Sequence, residues 1–182
     1  MTILLLGGSR SGKSTAAEHL VLRLAPTPVY LATMTPVDDE DEARILQHRH
    51  ARIGKGFETL EVPSGLSRIL SRLSGRVVLL DSITALLTNE MFPSEGMDPS
   101  APERVLSDLI ALSATAAQLV LVGDTPFSDL YPPSVEEWVR GLSHVYRGLA
   151  PLCQAVGEAL PSGIHWLRRD TPAREVNHAE SS

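Results

Sequence analysis

"TILLLGGSRSGKSTAAEHLVLRL", residues 2–24, passes from an apolar run through a glycine-rich loop into a segment that alternates polar and apolar residues at helical spacing. Within it "GGSRSGKS" (7–14) matches G-x-x-x-x-G-K-[ST] through Gly7, Gly12, Lys13 and Ser14. The match lies where phosphate binding needs it, between a strand and a helix. Small residues let the loop curl so that N–H groups from Gly7, Gly8, Ser9, Arg10, Ser11 and Gly12 onward point inward at phosphate oxygens. The following helix adds its positive end. Lys13 is expected to bridge the phosphates and Ser14 to hold Mg²⁺. The alternative is a strand-to-helix turn that binds nothing.

Outward from this loop, short apolar runs at 2–6, 28–32, 58–62, 76–81, 118–123 and 163–168 predict strands. Helical spacing predicts helices near 13–24, 38–53, 66–73, 83–92, 102–116 and 134–159. This alternation predicts an α/β fold of the P-loop NTPase kind, a mostly parallel sheet with helices on both faces. With 182 residues and 43% hydrophobic content, one domain over residues 1–169 is expected. Residues 170–182 offer almost nothing apolar and are expected to be a flexible tail. The Pro- and Gly-rich stretches 93–102 and 124–133 are expected to be surface loops.

Composition removes several classes of function. A net charge of −6 without any Lys/Arg-rich run argues against a nucleic-acid binder, so an anionic ligand must be held by a local site. Cys153 is the only cysteine, which excludes an internal disulfide and a cysteine-based zinc cage and fits the cytoplasm. No run approaches 18 consecutive apolar residues, so neither a membrane span nor export is expected.

"RVVLLDS" (76–82) ends an apolar strand on Asp81, where a second carboxylate would meet the magnesium shell; the competing role is a cap for the helix that follows. "EARILQHRHARIGKG" (42–56) concentrates positive charge in this acidic chain. On a helical wheel Ala43, Leu46, His50 and Ile53 share a stripe expected to face the core, with His50 a packed histidine rather than a ligand. Arg44, His48 and Arg52 form an i, i+4, i+8 row on the other side, either an anion site or a solvated basic face. Histidines two apart cannot grip one ion from a helix, so no metal is expected there. Flanking arginines would disfavour protonation of His48 and leave a neutral nitrogen available as a nucleophile.

Together, "GGSRSGKS", "YLATMTPVDDEDEARILQHRHAR", "ETLEVP" and "VVLLDSITALLTN" resemble the bifunctional adenosylcobinamide kinase/adenosylcobinamide-phosphate guanylyltransferase family of cobalamin biosynthesis. The resemblance implies a homo-oligomer, a trimer in the family, and small-molecule partners, a corrinoid and GTP, with GTP or ATP feeding the kinase step and Mg²⁺ as cofactor. It implies phosphorylation of adenosylcobinamide, then transfer of GMP onto that phosphate through a guanylylated histidine, His48, giving adenosylcobinamide-GDP. Nucleotide contacts would fall on Gly7 to Ser14, on Ala32, Thr33 and Met34, on Arg49, His50, Ala51 and Arg52, and on Glu61 and Asp81. Glu61 could accept the guanine N1–H and 2-amino groups, or be an exposed strand-end glutamate. Gly123-Asp124-Thr125 stand in place of the family's amide and glutamate after the fifth strand. Two other readings are a P-loop kinase of another small alcohol and a non-catalytic GTP-binding protein.

Overall fold

The computed structural model describes residues 1–36, 39–94, 96–125 and 133–170, without certain side chains in its second and fifth helices. Its seven strands are β1 (Thr2–Gly7), β2 (Val29–Ala32), β3 (Glu58–Glu61), β4 (Val77–Asp81), β5 (Gln118–Asp124), β6 (Ala155–Leu160) and β7 (Gly163–Arg169). The helices are α1 (Lys13–Leu22), α2 (Asp39–Arg52), α3 (Ile83–Met91), α4 (Ala101–Thr115) and α5 (Pro133–Leu149), with 3₁₀ turns at Leu66–Leu73 and Ala150–Leu152. The strands form one sheet in the order β3-β2-β4-β5-β1-β6-β7. All pairings are parallel except the β6–β7 hairpin. The expected mostly parallel α/β sheet is therefore present.

Alternation along the strands sends side chains to two apolar layers. Leu5, Tyr30, Leu79, Val120 and Val122 pack on Ala17 and Val21 of α1. Leu4, Leu31, Val78, Leu80, Leu119 and Leu121 pack with Leu86, Leu87, Leu109, Leu142 and Val145 of α3, α4 and α5. Strands buried on both faces read as near-continuous apolar runs, which is why "VVLL" and "LVLV" stood out in sequence. Cys153 lies in the second layer, where burial pushes its thiol up to about 11.

One expected element is corrected. The helix anticipated over 134–159 stops at Leu149, and Ala155–Leu160 is a strand beside β1. Pro151 lacks the N–H needed to continue an α-helix, and the small residues of "AVGEAL" alternate buried and less buried at strand spacing. The stretch 66–73 is 3₁₀ rather than α. Residues 171–182 of the anticipated tail and 126–132 of the anticipated 124–133 loop lie outside the described residues.

This order puts β1 between β5 and β6, while the chain leaving β1 crosses to β2 beyond β4. In open parallel sheets, ligands bind outside the carboxyl ends of strands at such a reversal. The loop after β1 opens there.

Candidate active site

Gly12 adopts φ +86°, a left-handed conformation that suits glycine, and starts α1 without a side-chain cap. The first turn of α1 is thereby presented to the loop's interior. Ser11 Oγ is buried with no partner among the described residues. An orphaned donor beside an uncapped helix start is the environment a phosphate oxygen satisfies. Lys13 sends Nζ back over the loop to the Gly8 carbonyl at 3.2 Å. The same Nζ lies 2.6 Å from Asp124 Oδ1.

Asp124 ends β5, in register with Gly7 of β1. Its identity as a partner of Lys13 escaped the sequence reading, because only the strand order makes β5 the neighbour of the phosphate-loop strand. Its main chain is held from two sides: its N–H donates to Thr84 Oγ1 at 2.8 Å, and its carbonyl accepts from Tyr146 Oη at 2.8 Å. Burial pushes the Tyr146 phenol above its usual range, so it stays a donor. Thr125 N–H donates to the Gly7 carbonyl at 3.1 Å, tying the two strand ends together.

Asp81, one strand further out, accepts a 2.6 Å hydrogen bond from Tyr30 Oη on Oδ2. Its Oδ1 has no partner among the described residues. The helix-capping alternative for Asp81 is not what the structure contains: Ser82 is the N-cap of α3, with Oγ accepting from Ala85 N–H at 3.2 Å. A half-exposed carboxylate on the α1 face with one oxygen open fits a Mg²⁺ ligand, as does the first-turn hydroxyl of Ser14. No cluster of three or more Asp, Glu, His or Cys suited to a metal occurs among the described residues. Magnesium held largely by nucleotide phosphates needs only one or two protein ligands.

The second expected contact region divides. Ala32 ends β2, and Met34 follows it half-buried. Between them Thr33 is fully buried, with its hydroxyl donating to the Ser82 carbonyl and accepting from Ser82 N–H, both at 2.7 Å. Only its main chain could face a ligand, and Asn89 Nδ2 already donates to the Thr33 carbonyl at 2.8 Å.

Two expectations for α2 are corrected. Ala43, Leu46, His50 and Ile53 do not face the core: all four are exposed, Ile53 by 73%. Arg52 is instead the buried residue, at 7% exposure, with its guanidinium 3.7 Å above the Tyr30 ring centroid. A flat cation on an aromatic face outcompetes the apolar stripe as the docking contact. Arg52 therefore does not stand in an exposed row, and its Nε is buried with no partner among the described residues. His48 lies in α2 one residue before Arg49, and the side chains of Arg44, His48 and Ala51 lie outside the described residues.

Arg49 and Glu61 are brought together: Arg49 Nη2 pairs with Glu61 Oε1, joining α2 to the end of β3. Beneath them Lys55 pairs with the buried Glu18 at 2.8 Å. Burial first, and then the Asp81 carboxylate, push the Tyr30 phenol far above its usual range and keep it a donor. Tyr30→Phe should therefore leave Asp81 Oδ2 short of its donor and cost about 1–2 kcal/mol, measured as a lower urea midpoint at unchanged slope.

Over residues 3–157 the chain matches the family described as cobinamide kinase / cobinamide phosphate guanyltransferase. The bifunctional adenosylcobalamin biosynthesis protein CobU of Salmonella typhimurium is 36% identical over 126 residues, covering 65% of this chain and 68% of that protein. CobP of Pseudomonas aeruginosa, of the same description, is 31% identical over 164 residues, covering 86% and 91%. Among solved structures, a KaiC-like protein of Pyrococcus horikoshii has a TM-score of 0.47 at 14% identity, covering 86% of this chain and 71% of that one. A phosphate loop facing a strand-end carboxylate, and a family match that runs from β1 into β6, lead to one conclusion: the chain belongs to the cobinamide kinase / cobinamide phosphate guanyltransferase family, bifunctional enzymes of adenosylcobalamin biosynthesis.

Proposed function

We propose that the chain phosphorylates the aminopropanol hydroxyl of adenosylcobinamide and then transfers GMP from GTP to the new phosphate through His48, giving adenosylcobinamide-GDP. The observation that carries the reading is the docking of the last turn of α2 on the β2–β3 edge, by Arg52 on Tyr30, whose hydroxyl also bonds Asp81, and by Arg49 on Glu61. Those two contacts tie the last turn of α2, which follows directly on His48 in sequence, to β2 and β3, and β2 is the neighbour of β4, which ends on Asp81.

In the guanylyl step the His48 imidazole attacks the α-phosphorus of GTP and pyrophosphate leaves. The corrinoid phosphate then attacks the phosphoramidate, and the histidine is regenerated. Lys13 and the loop N–H groups stabilise the charge that builds on the departing phosphates. Ser14 and Asp81 would hold Mg²⁺, which supplies positive charge to the phosphate oxygens. Glu61, exposed beside Arg49, would accept the guanine N1–H and 2-amino group and so favour GTP over ATP in this step. Either nucleotide can serve the kinase step, since that step needs only the triphosphate. The reading includes self-association into a homotrimer, which light scattering on the purified chain tests.

The decisive experiment uses Mg²⁺ and GTP labelled at the α-phosphate. The unmodified protein should form an acid-labile covalent adduct, and His48→Ala should form none while still moving γ-phosphate to adenosylcobinamide. An adduct of undiminished yield on His48→Ala would overturn the assignment.

Among the described residues no helix is long and apolar enough to cross a membrane.

A further inference from the structure

Phosphorylating an alcohol releases a proton, and the site just described has named no group to receive it. Two carboxylates stand at the carboxyl ends of adjacent central strands on the α1 face, Asp81 and Asp124. Asp81 already has one oxygen on Tyr30. Both are partly exposed, Asp124 over 38% of its side chain, so a substrate hydroxyl can reach either. Asp124 differs in two further respects. Its Oδ1 is 2.6 Å from the Nζ of Lys13, the group that meets the transferred phosphate. Its backbone is clamped by Thr84 and Tyr146 and by β5's pairing with β1, which fixes where the carboxylate sits.

Gly123 is part of the same construction. A Cβ there would lie 2.3 Å from Tyr146 Oη, so the glycine is what admits the tyrosine to the Asp124 carbonyl. A carboxylate aimed at a triphosphate is repelled by it, which makes Asp124 a poor group to place there for binding alone. The repulsion is offset when the carboxylate has a cation beside it and a proton to accept. Lys13 is the cation, and the hydroxyl of the phosphoryl acceptor carries the proton.

We infer that Asp124 is the general base of the kinase half-reaction, an inference that rests on the kinase reading above. The hydroxyl oxygen of the acceptor forms a bond to the γ-phosphorus, and its proton passes to an Asp124 carboxylate oxygen. The bond from the γ-phosphorus to the β–γ bridging oxygen breaks, with its electron pair leaving on the nucleoside diphosphate. As the triphosphate seats, Lys13 Nζ turns toward the phosphate oxygens and comes to lie between the two anions, which keeps its charge beside Asp124 and opens a carboxylate oxygen to the acceptor. The proton then goes to water. The guanylyl half-reaction needs no such base, because its acceptor is already an anionic phosphate. Asp124 therefore separates the two activities that share Lys13.

The test measures both transfers in one preparation: label from γ-labelled GTP to adenosylcobinamide, and label from α-labelled GTP to the protein. Asp124→Asn keeps the shape and removes the base, and the ratio of γ- to α-transfer should fall about 100-fold. Asp124→Ser is measured in the same way, so the answer does not depend on one variant folding. A ratio within about tenfold of that of the unmodified protein, whether both rates fall or neither does, would overturn the role and leave Asp124 as a structural partner of Lys13. If the unmodified protein itself moves no γ-phosphate to adenosylcobinamide, the kinase reading fails together with this role. That result is told apart from loss in the variants alone.

Discussion

Lys13→Met should abolish both transfers, lowering each by roughly 1,000-fold, while the protein remains folded. Lys13 is the positive side chain that reaches back over the phosphate loop, contacting the Gly8 carbonyl and Asp124. Each half-reaction expels an anion, a nucleoside diphosphate in one and pyrophosphate in the other, and each must have its developing charge met by a preorganised donor. Methionine preserves the length and apolar stem and removes only the charge. The folding cost should stay under about 1 kcal/mol, because the ion pair with Asp124 is partly open to water. Single-turnover rates with α- and γ-labelled GTP read the effect, and circular dichroism confirms the fold. A variant that still formed the adduct at an undiminished rate would remove Lys13 from the guanylyl step.

The second large effect concerns stability. Gly123→Val should destabilise the protein by about 3 kcal/mol, because even the first carbon of the new side chain falls 2.3 Å from Tyr146 Oη and 2.9 Å from Cζ. For a chain of this length that corresponds to a melting point lower by about 6–12 °C. The ring cannot step aside cheaply: its hydroxyl bonds the Asp124 carbonyl and its neighbour Val145 is fully buried. Combining Gly123→Val with Tyr146→Ala should cost less than the sum of the two single changes, since the second opens the space the first needs. Strict additivity in thermal unfolding would show that the contact is not what requires glycine here.

How much of this could be read from residues alone depended on whether the signal was local. The phosphate loop was legible because strand, turn glycines, lysine and helix follow one another within a few residues. The central strands were legible because burial on both faces leaves no polar residue to interrupt "VVLL" or "LVLV". β6 was missed since "QAVGEAL" continues the apolar spacing of α5, and only pairing with β1 decides its state. The orientation of α2 was missed for a different reason. A helical wheel assumes that apolar residues seek the core, whereas Arg52 docks this helix on Tyr30 and leaves Leu46 and Ile53 facing solvent. Asp124 could not be tied to Lys13 across more than a hundred residues, because that pairing exists only once β5 lies beside β1.

Thr33 and Ser82 exchange two hydrogen bonds, and Asn89 clasps the carbonyls of both Thr33 and Pro63. Three chain segments far apart in sequence thereby share one fastening at the carboxyl end of the sheet. Opening any one of them breaks the bonds of the others, so the amide protons of Thr33 and Ser82 should exchange with deuterium together, at the slow rate of the surrounding core. The floor of the site then behaves as a fixed plate, and adjustment to two chemically different reactions is left to the parts attached around it.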